Sequence, residues 1–359
     1  VSGPHITGVG TAGPRHDIHA PFLELAKSQL PAGTPRTLFA RMAERSGIAH
    51  RFSILAAGNL AAGEVDADGF YQRGRFPGTA ARMALYERHA AALAQQAVEA
   101  LGIDAELDRI THLVVASCTG FMAPGLDLRL ADLLGLRRDV ARTMIGFMGC
   151  SAAVPALRCA AQAVRADPAS RVLVVTLELC TLHLQETQDL ETALSFLLFA
   201  DGCAAALVTA DAAGLALDDF HAAIIPDSHG LITWHIGDQG FRMHLSGQVP
   251  ARILRALREE QGRNDAGGIL RGGDAREIAH WAVHAGGRTV LDAVELGLSL
   301  APAALRHSRA VLRDYGNMSS ATILFVLARI LREAAAPARG LAMAFGPGMV
   351  AETFRFRTV

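Results

Sequence analysis

Lysine is nearly missing from this 359-residue chain: Lys27 is the only one among 34 lysine and arginine residues. A phosphate-binding P-loop needs a lysine inside a glycine-rich turn, and Lys27 stands in Leu-Ala-Lys-Ser. Schiff-base chemistry needs a buried reactive lysine, which this polar-flanked position near the N-terminus does not offer. Charge is scarce too, at 19% of residues against 51% hydrophobic, with a net charge of -1. That balance excludes a disordered chain. It also leaves no electrostatic footprint for nucleic acid or for an anionic membrane surface. The five cysteines (Cys118, Cys150, Cys159, Cys180, Cys203) are odd in number and contain no CxxC pair. Neither a disulfide framework nor a cysteine zinc site fits them, and they read as free thiols of a reducing compartment. His280 and His284 would lie about 13 Å apart on a strand, too far to share a metal ion, and no HExxH is present. No apolar run reaches the roughly 18 residues of a membrane span. Val1-Ser-Gly-Pro-His lacks the basic and apolar regions of a signal peptide, so a cytoplasmic location is expected.

What is present is an alternation of short β-branched runs with long helical patterns. Strands are expected at 112–116, 171–177, 204–209, 280–284 and 341–345, with 322–326 contested by a helix. Helices are expected at 80–101, 126–134, 151–165, 191–198, 250–261, 288–296 and 319–334. Segments 59–78 and 262–275, rich in Gly, Asp and Arg, read as surface loops. The whole is an α/β pattern, and it contains an internal echo. In the first half a strand at 112–116 precedes Gly149-Cys150-Ser151-Ala152, an Ala-rich helix and a strand at 172–177. In the second half a strand at 280–284 precedes Gly316-Asn317-Met318-Ser319, an apolar helix and a strand at 341–345 at nearly the same spacing. Two similar α/β halves, 1–210 and 211–359, are expected to pack as one body, with Cys150 and Asn317 in matching places at the starts of buried helices.

Cys150 follows a glycine that permits a sharp turn, and small residues follow it. At a helix N-terminus the dipole would lower the thiol pKa and make a nucleophile. A small buried side chain fits the same context. His284 ends a strand ahead of Gly286 and Gly287. It either faces a site or is a satisfied core histidine. Asn317, taken alone, reads as a helix N-cap.

The joint order Cys, His, Asn changes that. Four blocks, Ser117-Cys-Thr-Gly-Phe-Met-Ala-Pro-Gly-Leu-Asp127, Gly146-Phe-Met-Gly-Cys-Ser-Ala-Ala, Trp281-Ala-Val-His-Ala-Gly-Gly287 and Tyr315-Gly-Asn-Met-Ser-Ser-Ala321, occur in sequence. A fifth is Ala344-Phe-Gly-Pro-Gly-Met349. From about residue 36 to the end, the chain resembles the type III polyketide synthases, the chalcone-synthase-like family with a thiolase fold.

The resemblance implies an α-β-α-β-α layered body, a homodimer, and acyl-CoA and malonyl-CoA as substrates, with no metal or redox cofactor. It makes Cys150 the acyl carrier, with His284 and Asn317 as its catalytic partners. Phe199 and Met243 match the gatekeeper positions, the second usually Phe in plant enzymes. Trp234, His183 and Cys118 stand where the family has a small glycine and two threonines, and Thr119 and Ser319 match further pocket positions. Ala285 replaces the proline usual after the histidine. Gly346, Pro347 and Gly348 match the family's C-terminal loop, and Arg41 and Arg45, four apart on one helix face, match CoA-contacting cations. An indole at 234 would shorten the cavity, or turn it into a side tunnel for an alkyl starter. The rival readings are a β-ketoacyl carrier-protein synthase, a Cys-His acyl hydrolase and a catalytically dead acyl-binding scaffold.

Overall fold

The computed structural model describes residues 3–261 and 266–359. Of the two expected loops, 262–265 lie outside the described residues. Segment 59–78 is a loop pinned by Asp66, whose carboxylate accepts from the backbone N–H groups of Asp68, Phe70 and Tyr71.

Nine strands form a mixed sheet in the order His280–Val283, Arg339–Gly346, Val350–Thr358, Leu215–Ile224, His5–Ala12, Asp201–Thr209, Val172–Leu179, His112–Ala116, Ala141–Ile145. Its middle is thin. His5–Ala12 meets Leu215–Ile224 only through the pairs His5–Ala216 and Ile6–Leu215, while its pairing with Asp201–Thr209 runs from His5 to Ala12. Two half-sheets therefore hinge at a short seam and fold over a shared helical layer.

Strand alternation builds the layers. Val114, Ala116, Val172 and Val174 point to a central core that also takes Ala282, Ala342 and Ala344 from the other half-sheet. The intervening residues Leu113, Val115, Leu173 and Val175 point outward, to the helix Thr79–Leu101. Trp281, Val283, Leu341 and Met343 point outward to the helices Val249–Glu260 and Arg288–Gly297. The central layer holds Ala153–Ala166 and Thr322–Glu333. The result is the α-β-α-β-α layering of a thiolase-like fold.

The contested run at 322–326 is helix, not strand. Thr322 through Ala328 are all buried. A segment apolar on every face shows no period, so its length rather than its β-branched residues decides the element. The helix begins later than expected because Ser319–Ala321 forms a separate 3-10 turn. No helix among the described residues is long and apolar enough to cross a membrane.

Candidate active site

The nucleophile turn is built by close contact. Strand Ala141–Ile145 leads through Phe147 (φ 55°) and Gly149 (φ 57°) into the 3-10 turn Gly149–Ser151, with the buried helix behind it. A Cβ on Gly149 would lie 2.7 Å from Cδ of Pro347, and one on Gly346 would lie 2.3 Å from Oγ of Ser151. The loop Gly346-Pro347-Gly348 thus braces the turn that presents Cys150, and two glycines are needed where the segments touch. The N–H of Gly149 donates to Sγ of Cys118 at 3.2 Å, so Cys118 lies behind the turn.

The helix dipole does not leave Cys150 with a depressed pKa. Burial pushes its thiol up to about 11, against the opposing effect of the Ser319 and Asn317 side chains, and the nearby Glu178 carboxylate raises it further. Desolvation of the thiolate acts against the lowering expected from sequence.

His284 follows strand His280–Val283 and is 2% exposed. Its backbone is fixed by Met343 O and Gly286 N, each at 2.8 Å. Neither ring nitrogen has a hydrogen-bond partner among the described residues, and burial lowers the imidazole pKa to about 3. His284 is therefore a neutral imidazole with a free donor and a free acceptor.

Asn317 is buried and bridges the halves. Its N–H donates to Leu198 O at 2.8 Å, and its carbonyl accepts from Ala200 N at 2.9 Å. Oδ1 accepts from Ser319 N at 2.8 Å, a local cap of the kind the sequence suggested. One Nδ2 proton reaches Gly286 O at 3.3 Å, which leaves the other available.

These three residues line one cavity. Phe199, Trp234, Met243 and Pro347 are in its wall with Ile232, Leu245, Val249, Ile253, Val290 and Phe345. Its volume is about 40 Å³, room for a few waters. Trp234 and Met243 are register partners in the hairpin Ile232–Gly237/Gly240–Leu245, as are Ile232 and Leu245, which puts all four on one face. A larger groove of about 500 Å³ at Asp218, Trp281, Arg339 and Arg357 lies elsewhere. There Arg339 pairs with Glu277, Arg357 with Asp218, and Arg355 donates to Leu270 O at 3.0 Å.

The remaining expected positions stand apart from that lining. His183 donates from Nε2 to Thr119 O at 2.7 Å, accepts at Nδ1 from Phe241 N at 3.0 Å, and stacks on Phe241 at 4.2 Å. It is a neutral structural imidazole, with burial lowering its pKa to about 4. Thr119 donates to Glu178, and Ser319 is buried at φ 46°. Arg41 and Arg45 are exposed on helix Thr34–Arg45. The carbonyl of Arg45 accepts from Arg288 at 3.1 Å, on the helix that also carries Val290 into the cavity. Among the described residues no three His, Cys, Asp or Glu side chains gather as a metal site.

Two residues missed in the sequence matter here. Arg51, 1% exposed, donates to the carbonyls of Phe196 (2.9 Å) and Phe199 (2.6 Å) and to Nδ1 of His19 (3.0 Å). Glu178, fully buried in strand Val172–Leu179, accepts from Cys118 N (3.0 Å), Thr119 Oγ1 (2.8 Å) and Ser320 Oγ (2.5 Å). A lone acid in an apolar run was its signal. Burial raises its pKa from 4.5 to about 7, so the folded state prefers its neutral form. Its stability contribution is full below pH 4.5 and is lost as pH rises through 7, about 3 kcal/mol in all. Glu178→Gln should flatten the pH dependence of stability across that window, read by denaturant titration. It should also bring Cys150 alkylation by iodoacetamide to lower pH, because a nearby negative charge is gone.

Residues 9–212 match the model for the N-terminal domain of chalcone and stilbene synthases, and 217–359 match that for the C-terminal domain. The chain belongs to the chalcone and stilbene synthase family. This family member is similar to bisdemethoxycurcumin synthase of Oryza sativa subsp. japonica, at 40% identity over 260 residues. That match covers 68% of this chain and 64% of the rice protein. It superposes on PKS-I of the brown alga Ectocarpus siliculosus at a TM-score of 0.86 and 29% identity, covering 100% of this chain and 99% of the other. It also superposes on 1,3,6,8-tetrahydroxynaphthalene synthase of Streptomyces coelicolor A3(2), a bacterial type III polyketide synthase. The TM-score there is 0.84 at 29% identity, with 98% of each chain covered.

Proposed function

We propose that the protein is a type III polyketide synthase. The observation that carries this reading is the meeting of Cys150, His284 and Asn317 around one apolar cavity. In the first step the sulfur of Cys150 attacks the carbonyl of a starter acyl-CoA. Neutral His284 takes the thiol proton and returns it to the departing CoA sulfur. Malonyl-CoA then loses CO₂, and negative charge grows on its thioester oxygen. The free donor of His284 and the free amide proton of Asn317 stabilise that oxygen. The enolate carbon attacks the Cys150 thioester, forms the new C–C bond and expels the thiolate. Asn317 has no titratable proton, so its part is hydrogen bonding. The chemistry calls for no metal or redox cofactor beyond the CoA thioesters.

In this reading Phe199 and Met243, both in the cavity wall, gate the cavity, and the exposed Arg41 and Arg45 meet the CoA phosphates. Met243 gates less rigidly than a phenylalanine would. The working form is a homodimer in the cytoplasm. Strand Ala141–Ile145 is an open sheet edge, and the apolar side chains of Phe121, Leu133 and Met144 are exposed beside it, a face suited to a second copy.

The small cavity and its indole wall favour a product of few extensions, closed as a pyrone, resorcinol or phloroglucinol. Trp234→Gly is expected to lengthen the major product by at least one malonyl-derived unit, read by mass spectrometry. An unchanged chain length contradicts that role. The proposal as a whole is tested by intact-protein mass spectrometry. An acyl adduct on Cys150 that malonyl-CoA extends supports it, and an adduct that is only hydrolysed favours an acyl hydrolase.

A further inference from the structure

Trp234 brings more than bulk to the cavity. Its indole Nε1–H is buried, and no hydrogen-bond acceptor reaches it among the described residues. Of the side chains lining the cavity, His284 is the other with buried unpartnered nitrogens. The indole is held by aromatic neighbours that cannot serve as ordinary acceptors: Phe147 edge-on at 6.3 Å and Phe241 at 6.3 Å between centroids. Those rings are themselves braced, Phe147 by Phe121 and Phe241 by His183. Buried N–H groups are nearly always paired, so a donor left unpaired on a residue of the cavity wall calls for an acceptor from what binds there.

We propose that Trp234 donates its indole N–H to a keto oxygen of the extending chain and so fixes the fold from which the ring closes. This rests on the polyketide synthase reading and deepens it. The partner is then an oxygen-bearing β-ketoacyl chain. A purely alkyl chain at that wall would leave the donor unpaired, and the site disfavours it. Trp234 is a positioning residue in this scheme, because it orients the chain without exchanging a proton.

Bulk and hydrogen bonding are separated by Trp234→Phe, which keeps an aromatic wall and removes the donor. The ratio of cyclised product to hydrolysed linear β-keto acid, counted per acyl group loaded on Cys150, should fall about tenfold, the worth of one neutral hydrogen bond. A direct readout is available because the chain has two tryptophans, Trp234 and Trp281. The indole resonance lost in Trp234→Phe identifies Trp234 in a ¹⁵N spectrum. It should move downfield with a hydrolysis-resistant β-ketoacyl-CoA analogue, and move less when the keto group is replaced by CH₂. A product ratio unchanged in Trp234→Phe, or equal responses to the two analogues, overturns the inference. Failure of Trp234→Phe to load Cys150 also overturns it, since the ring would then only pack. Absence of any Cys150-dependent polyketide from the wild-type protein overturns the functional reading itself, a result distinct from either.

Discussion

His284→Ala and Asn317→Ala should each slow decarboxylative condensation by about 10²–10³-fold, the usual loss when one donor to a developing oxyanion is removed. The two losses should not add, because both donors serve the same oxygen. Separate steps tell the residues apart. Asn317 has no titratable proton and offers the oxygen only its amide N–H, so its removal should fall mainly on release of CO₂ from malonyl-CoA. His284 also takes the proton of Cys150, whose thiol burial holds near 11, so its removal should slow acyl loading as well. Rapid-quench mass spectrometry of the Cys150 adduct, run beside a CO₂ assay, measures both. Equal loss of loading in the two variants would contradict the division of roles.

The second large effect is expected at Arg51. Its guanidinium is buried with a pKa lowered to about 9, and it lies over the ring of Phe22 at 4.5 Å. It holds the carbonyls of Phe196 and Phe199 at the end of helix Leu190–Leu198, and a Cβ on Gly316 would come within 2.7 Å of its Cγ. Arg51 thus fixes both Phe199, the proposed gatekeeper, and the segment that carries Asn317. Arg51→Met keeps the stem's packing but orphans two carbonyls and His19. The cost should be on the order of 3 kcal/mol, seen as a fall in Tm. The KM for acyl-CoA should rise along with it, as Phe199 loses its anchor. A stable variant with wild-type KM would show that the clamp is dispensable.

The sequence was most informative where local pattern and burial agree. The strand at 112–116 and the long helix after residue 79 follow from periodicity. The edge strand Ala141–Ile145 was not legible, because its side chains are largely exposed and carry no alternation of buried and polar positions. The antiparallel strands Leu215–Ile224 and Val350–Thr358 escaped for a different reason: charged residues, Asp218 and Asp219 in one and Glu352, Arg355 and Arg357 in the other, interrupt their apolar runs. Within the site, spacing matched Cys150 with Asn317, and the resemblance to type III polyketide synthases added His284. His183, Cys118 and Thr119, taken from matching positions, sit behind the cavity wall, held by contacts to Phe241, Gly149 and Glu178. Arg51 was hidden by abundance, one arginine among many. For the Cys150 thiol the helix end is visible in sequence, whereas the burial that pushes its pKa up is not.

The most direct test of the account is an assay of malonyl-CoA with a panel of acyl-CoA starters, from acetyl to long-chain and aromatic. Products and CO₂ would be followed by mass spectrometry, with Cys150→Ala as control. The account predicts extended, cyclised products that vanish with Cys150. Acyl loading on Cys150 followed only by hydrolysis, with no starter extended, would contradict it.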